Sequence, residues 1–580
     1  MTEALGNATR HAAGFADALA ASSALRGDTF VGRLKRRLAQ EPDRAAISYC
    51  GPDARIQWQS IASFWADVEP VTDAIVIAGG QRERVVVICL ATQRKMAIAT
   101  IATLAAGAIP VLVPPPRLSV NNDITVLHST IARTKPSVIL CESYLAKSLP
   151  HDGDAPVALP DARICKTESF TPIRDAFAMQ LTSGTTASPR ICVWDQKSLL
   201  YGIDSGMSAM GLCRDDVCLS WVPFYHDLGL VNNLLLCLAN DIPLVVMEAA
   251  DFVRNPAVWL KGLSASAATL TWGSNFGYAL AVEKVALETL EGVSLEKVRG
   301  FWSGGERIHR STIAAFAEKF APFGVTCSAM HASYGGAENA GGMTFTRLGH
   351  KGARHETVDA VRLYDDLVAD PVGDNFRGST SQYVSVGAPH PGLEIRILSE
   401  LGEPLPDGRI GRIAVRSPSR FLGYLEDTAA TSSRFSGEYL MMGDLGYLRY
   451  GELFWTGRCD ELISVRARKI DPSEFEAPLT NIRGLRRGCF VVFGIDDRRA
   501  GTQHPVLVGE FREGAGVSPE AVALACRAAA VKSTGVTFGD VVLVPPGTLL
   551  KTTSGKRRHK HYRTVYQVDG FAGLRINARR

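Results

Sequence analysis

Hydroxyl side chains crowd around a glycine in QLTSGTTASPR, residues 180–190. Such a cluster can turn backbone N–H groups and side-chain donors toward phosphate oxygens. The stretch lacks the G-x-x-x-x-G-K-[ST] spacing of a Walker A loop, and alone it reads equally well as a Ser/Thr-rich turn. Other candidates are as ambiguous singly. Asp444 lies in a G-D-L-G turn, where a short carboxylate can simply brace the backbone. Glu338 and Arg458 carry no local sign that separates a site from a surface. His226, in a Y-H-D context, suits a satisfied core position as well as a site wall. Residues 551–563 hold eight basic or His side chains, Lys556 among them; that density fits a nucleic-acid patch or, more simply, a solvated basic face.

The elements that must position these groups belong to a long soluble chain. At 580 residues, a single hydrophobic core is excluded and two to four folded units are expected, at roughly 150 residues each. Hydrophobic residues at 46% and charged residues at 21% exclude disorder and fibre. A net charge of +4 supplies no global field for nucleic acid or anionic membrane. The twelve cysteines include no C-x-x-C pair, so zinc spacing is absent. They read as reduced thiols of a cytoplasmic protein, consistent with residues 1–30, which lack a secretory h-region. Residues 96–116 carry no charge and reach the length of a membrane span, but Gly107 and Pro110 divide them. A buried helix followed by a buried strand is expected instead, and no membrane span.

Apolar runs at 85–90, 109–113, 137–141, 217–222, 243–247 and 268–272 read as strands, and helical patterns at 95–106 and 312–320 as helices. Their alternation predicts an α/β chain with buried parallel sheet. Beyond 380, short strands between Gly/Pro turns predict an antiparallel or barrel-like unit. After Gly457, strands at 489–493, 505–511 and 540–544 with a helix at 519–532 predict a small α+β domain.

Taken together the motifs resemble the adenylate-forming superfamily of acyl-CoA synthetases, peptide-synthetase adenylation domains and luciferases, and most of all the fatty acyl-AMP ligases. Residues 181–190 are similar to that family's phosphate loop, and WVPFYHDLGL at 221–230 to its W-x-P-x-Y-H-D-M-G-L signature. SYGGAE at 333–338 resembles Y-G-x-A-E, and MGDLG at 442–446 resembles T-G-D-L-G. GRCDELI at 457–463, RARKIDP at 466–472 and LKTTSGK at 550–556 resemble the hinge, the loop after it and the lysine loop. The order of the motifs is the family's, and the resemblance covers nearly the whole chain.

The resemblance implies a large N-terminal domain, 1–458, of two parallel-rich α/β layers plus a distorted β-barrel. A small mobile α+β domain, 459–580, would pivot near Asp460. It implies ATP and Mg²⁺ as cofactors. Thr182, Ser183, Gly184, Thr185 and Thr186 would hold the β- and γ-phosphates, with Glu338 and Thr185 toward the metal. Tyr334 and Gly335 would face adenine, with Gly304 and Gly305 letting the base approach the backbone. Asp444 would accept the ribose hydroxyls, and Arg458 would bind ribose or phosphate oxygens. Lys556, Glu338 and His226 would be catalytic, Lys556 stabilising charge at the α-phosphate and carboxylate. The acid pocket would be formed by His226, Asp227, Trp272, Gly273, Asn275 and Phe276.

Departures from the family pattern qualify this reading. Ala187, Arg190 and Cys192 stand for Gly, Lys and Gly, Met442 for Thr, and Ala467 for a Gly that lines the pantetheine passage of CoA ligases. Trp272 takes a Gly position in the acid-pocket stretch, which predicts a short, medium or compact acid if the indole lines the pocket and nothing if it faces core. The 44 residues between Glu338 and Tyr383 exceed the short connection of CoA ligases. Residues 348–381 are expected either as a surface loop or as a segment packed between the domains, which would favour a separate holo acyl carrier protein over CoA as acceptor. Arg557, Arg558 and Lys560 are candidates to meet its acidic helix. Alternatives are an acyl-CoA ligase, an amino-acid adenylating enzyme, which Asp227 permits, and a nucleotide-binding pseudoenzyme.

Overall fold

Strands with no apolar/polar alternation are those covered on both faces, and the structure follows that rule. The computed structural model describes residues 28–116, 124–168, 170–182, 189–349, 351–465, 468–497, 502–551 and 556–576. Val85–Cys89 and Val138–Glu142 are buried along their whole length. With Ile109–Leu112 and Ala178–Leu181 they make the parallel middle of one sheet, whose antiparallel flanks are Ile191–Trp194 and Gly423–Tyr424 on one side and Ala162–Lys166 and Gly153–Pro156 on the other. A second sheet runs in parallel through Met330–Gly335, Gly300–Ser303, Leu270–Gly273, Cys218–Ser220, Leu244–Met247 and Ala45–Cys50. Antiparallel strands close both of its edges.

The uncharged stretch 96–116 forms the buried helix and buried strand expected of it. Helix Gln93–Ala105 is capped by Thr92, whose hydroxyl accepts from Lys95 N at 3.3 Å, and it turns apolar residues to every side. Such a helix needs cover all round. It packs against strands of both sheets, and its Gln93 amide donates to Met247 O at 2.6 Å while accepting from Phe224 N at 3.1 Å. Among the described residues no helix is long and apolar enough to cross a membrane. All twelve cysteines are free thiols.

A third, antiparallel sheet of Glu394–Leu398, Gly411–Arg416, Tyr439–Arg449, Phe435–Ser436 and Glu452–Arg458 stands where the barrel-like unit was expected. Beyond it come the hairpin Ile463–Val465/Arg468–Ile470 and the sheet Leu485–Asp497, Thr502–Phe511, Asp540–Val544. Helix Pro519–Thr534 covers that sheet; its ends show why it forms there, with Ser518 capping Ala521 N, proline in the first turn and Gly535 at φ +72° closing it.

Residues 348–381 do not form an unpacked loop over their described length. Strand His355–Asp359 pairs with Thr380–Val384 around the short helix Ala360–Asp365. Val358, Leu363, Tyr364 and Tyr383 are buried in one apolar cluster with Phe475, Leu479, Phe490 and Leu507 from the far side of residue 458. The segment therefore shares a core with the C-terminal part of the chain.

Candidate active site

One cleft of about 1950 Å³ opens between the large sheets and the part of the chain beyond 458, and it gathers side chains from the whole length of the sequence. Thr182 follows strand Ala178–Leu181 and is tied across the base of its loop: its N–H donates to Arg190 O at 2.8 Å, and its hydroxyl accepts from Arg190 N at 3.1 Å. Ser183, Gly184, Thr185 and Thr186 lie outside the described residues. Gln180 donates to Tyr225 O at 2.8 Å, fixing this strand end to the turn that carries His226 and Asp227. Gly229 is required in that turn, because a Cβ there would sit 2.2 Å from Pro223 O. The chain then winds through a π-turn at Leu230–Leu235, a form often found beside functional sites.

On the opposite wall, strand Met330–Gly335 delivers Tyr334, whose hydroxyl donates to Asp444 Oδ2 at 2.6 Å. Arg458 stands 3.7 Å from the other carboxylate oxygen and 3.4 Å from Asp460. Burial pushes the Asp444 pKa up against the pull of Arg458. Gly304 lies against the same strand: an added Cβ would meet Ser333 Oγ at 2.6 Å and Ser333 O at 3.3 Å, so a larger residue there would push the Ser333 hydroxyl aside. Gly305 and Gly335 line the cleft.

Glu338 has partners that no local pattern announces. Tyr424 OH donates to its Oε1 at 2.5 Å, and Arg434 lies 3.4 Å from the same oxygen while donating to Tyr424 OH at 3.0 Å. Arg190 stacks over the Tyr424 ring at 5.2 Å. Tyr424 and Arg434 lie 86 and 96 positions from Glu338 and in no recognisable motif; only the structure adds them to the site.

The chemistry of this donor set fits a nucleotide triphosphate with Mg²⁺. Arg190, Arg434, Arg458 and Lys556 supply cations around one cleft. Mg²⁺ keeps most of its water and takes phosphate oxygens, so it needs only one or two protein carboxylates. Glu338 supplies one, and among the described residues no group of three or more His, Cys, Asp or Glu forms a metal cage.

Lys556 reaches this cleft from the C-terminal part. Burial raises the Asp227 pKa, and the charge of Lys556 is the largest influence opposing it. The residues after Lys556 are anchored. Arg557 donates to Phe490 O at 2.9 Å and pairs with Glu476 at 3.1 Å; His559 meets Glu476 at 2.9 Å and Glu461 at 3.7 Å; Lys560 pairs with Asp460. Arg557 and Lys560, candidates for a docking face, thus already hold internal partners. Asp460, the expected pivot, joins Arg458 to Lys560. Ala467 lies outside the described residues.

The expected acid pocket divides. His226, Asp227, Asn275 and Phe276 line the cleft, and Asn275 Oδ1 accepts from His309 N at 3.0 Å. Trp272 and Gly273 do not line it, a correction to the expected pocket: neighbours on a strand face opposite ways, and both faces of this sheet are covered by apolar core. Trp272 is 1% exposed, stacked on Trp302 at 5.5 Å and edge-on to Phe345 at 6.4 Å. Trp302 in turn stacks on His331 at 4.8 Å. A Cβ on Gly273 would point into the other apolar cluster, 3.3 Å from Trp221 and Tyr278.

The model of the AMP-binding enzyme family matches residues 34–425. A long-chain-fatty-acid–AMP ligase of Mycobacterium bovis is 29% identical over 94% of this chain and 98% of its own length. A 4-hydroxyphenylalkanoate adenylyltransferase of Mycobacterium marinum is 29% identical, over 93% and 92% respectively. Among solved structures, one from work on fatty acyl-adenylate ligases of E. coli and L. pneumophila superposes with a TM-score of 0.79 at 24% identity, over 93% of this chain and 98% of that one. That likeness establishes the fold.

The His559 cluster has a consequence for stability. Burial disfavours its charged form, but the charge and hydrogen bond of Glu476, with Glu461 behind it, outweigh burial and hold the pKa above the ordinary 6.5. A raised folded pKa means the ion pair contributes fully below about pH 6.5 and is lost as pH rises through the folded value. Unfolding free energies of wild type and His559→Gln from urea titrations should differ by on the order of 1–2 kcal/mol at low pH and converge at high pH; a gap independent of pH would contradict the assignment.

Proposed function

Because the chain belongs to the AMP-binding enzymes, we propose that it joins a carboxylic acid to AMP with release of pyrophosphate, and then passes the acyl group to the thiol of a separate holo acyl carrier protein. The observation that carries the reading is the meeting, in one cleft, of Lys556 from the end of the chain with Asp227, Tyr334, Glu338 and Asp444. In the first step a carboxylate oxygen attacks the α-phosphorus, and the bond to the bridging oxygen breaks, its electron pair leaving with pyrophosphate. Negative charge gathers on the phosphoryl oxygens as this happens. Lys556 supplies a fixed positive charge there, worth most where water is excluded. Bound Mg²⁺ would neutralise phosphate charge, and Glu338 is the described residue that would hold it, with Thr185 its proposed companion.

Tyr334 would pack on adenine, Asp444 would accept the ribose hydroxyls, and Arg458 would bind ribose or phosphate oxygens. Tyr334 donating to one oxygen of Asp444 supports this assignment, since it orients the carboxylate before any ligand is bound. His226 would form a wall beside the acid. In the second step the thiol sulfur attacks the acyl carbon, AMP departs with the bonding pair, and the thiol proton passes to solvent. Lys556 would have to withdraw for the thiol to enter, so residues 459–580 would act as a mobile domain turning near Asp460 on a body formed by 1–458.

We take the acid to be held among His226, Asp227, Asn275 and Phe276, which line the cleft; the Trp272–Trp302–His331 ring stack lies in the core and sets no limit on its length. For the acceptor, the support is the segment 355–384, which shares a core with the C-terminal part. A CoA molecule must turn that part alone, whereas a carrier protein adds its own docking contacts.

Lys556→Ala should reduce pyrophosphate release by about 10²–10³-fold and leave ATP binding within a few-fold; adenylation at the wild-type rate by that variant would sink the assignment. An ATP–pyrophosphate exchange screen from acetate to palmitate should show a preferred chain length, and Trp272→Phe should leave that preference unchanged. A shift of the optimum in that variant would show that the indole does line the pocket. With CoA alone, acyl-AMP should accumulate, and a free holo carrier should become acylated; efficient acyl-CoA formation with no transfer to any carrier would overturn the acceptor.

A further inference from the structure

Two residues beyond Gly305, on the turn that borders the proposed adenine site, Arg307 reaches into the contact between the two parts of the chain. Its side chain is 10% exposed and that of Glu474, its partner at 2.5 Å, 11%. The same guanidinium donates to Ser473 Oγ at 2.6 Å and to Gln382 O at 3.3 Å, and lies over the Tyr383 ring at 4.7 Å. Tyr383 OH donates to Glu474 Oε1 at 3.2 Å. One buried cation is therefore satisfied jointly by the C-terminal part and by the inserted segment, and a paired guanidinium fork of this kind tolerates little displacement.

The partner is directly coupled to the reactive lysine. Glu474 and Glu476 flank Phe475 on the helix Pro472–Glu476, and Glu476 pairs with Arg557, the residue after Lys556. Holding Glu474 thus holds the platform from which Lys556 enters the cleft. We infer that Arg307 is a positioning residue: its buried pair with Glu474 clamps the C-terminal part in the orientation that brings Lys556 to the reacting phosphate, and must open before the thiol step. The inference rests on the acyl-AMP ligase reading and adds to it a latch within the chain itself.

Removing one partner would leave the other buried and unpaired, so the test removes both charges, in Arg307→Met/Glu474→Gln. ATP–pyrophosphate exchange is measured with octanoate and with the acids of the screen above, in wild type, the latch variant, Lys556→Ala and their combination. The latch variant should lose at least tenfold in exchange rate while its dissociation constant for a fluorescent ATP analogue stays within twofold. In the Lys556→Ala background the same change should cost less than twofold, because there is no lysine left to position. An equal loss in both backgrounds, or none in either, overturns the inference. If the double substitution does not fold, Glu474→Gln alone should show the same pattern at about threefold, with the same overturning results.

Failure of the ligase reading is read separately. Exchange by the wild type with no acid rejects that reading, and the latch is then judged on geometry, from energy transfer between fluorophores at Leu287 and Leu524, exposed positions on either side of the contact. A wider or longer distance distribution in the latch variant supports the latch, and an unchanged one overturns it.

Discussion

An adenylating site must hold several cations around one polyanion, and cations held together repel one another unless the fold supplies anions among them. In this protein the balance is kept by alternation. Asp444, Arg458, Asp460 and Lys560 follow in a line of opposite charges, and Glu338 sits against Arg434. Each of these groups is pinned by a neighbour of the other sign, so this part of the site is assembled before any phosphate enters. That preorganisation is what gives electrostatic stabilisation its strength, because no reorientation remains to be done at the moment of reaction.

The apolar architecture makes the alternation possible. Both large sheets direct strand ends toward the cleft, and the ligand crevice of parallel α/β sheets lies at such ends. Helix Gln93–Ala105, buried between them, fixes their relation, while Gln180 and Gly229 fix the loops that leave them. The third sheet contributes Asp444 and Arg458 from adjacent, directly paired strands. The inserted segment is the less expected part, since its polar composition conceals several side chains, Val358, Leu363 and Tyr364 among them, that join the core of the chain beyond 458.

Much of this was legible in the sequence, for identifiable reasons. Fully buried strands announce themselves by unbroken apolar runs, and the runs at 85–90 and 540–544 lie where Val85–Cys89 and Asp540–Val544 form. The glycine-bearing motifs are legible because close backbone approach leaves no substitute, as at Gly229. What was not legible depends on distance along the chain or on side-chain direction. Tyr424 and Arg434 reach Glu338 only through folding, and nothing near Arg307 indicates that its partner lies 167 residues away. Trp272 was ambiguous because sequence gives the order of strand residues but not which face is the pocket. Segment 348–381 was ambiguous because averaged composition hides a few buried positions in a polar run.

The pairing of the outer strand Ala45–Cys50 with Leu244–Met247 places a burden on synthesis. At about 5–20 residues per second, a ribosome needs roughly 10–40 s to make the intervening stretch. Through that interval the strand lacks its parallel neighbour, and helix Gln93–Ala105 lacks one of the two sheets that cover it. The first sheet waits longer still, since its edge partner Gly423–Tyr424 emerges after more than two-thirds of the chain. The nascent protein must therefore carry exposed apolar surface for most of its translation, in a topology whose loops close late and at high entropic cost.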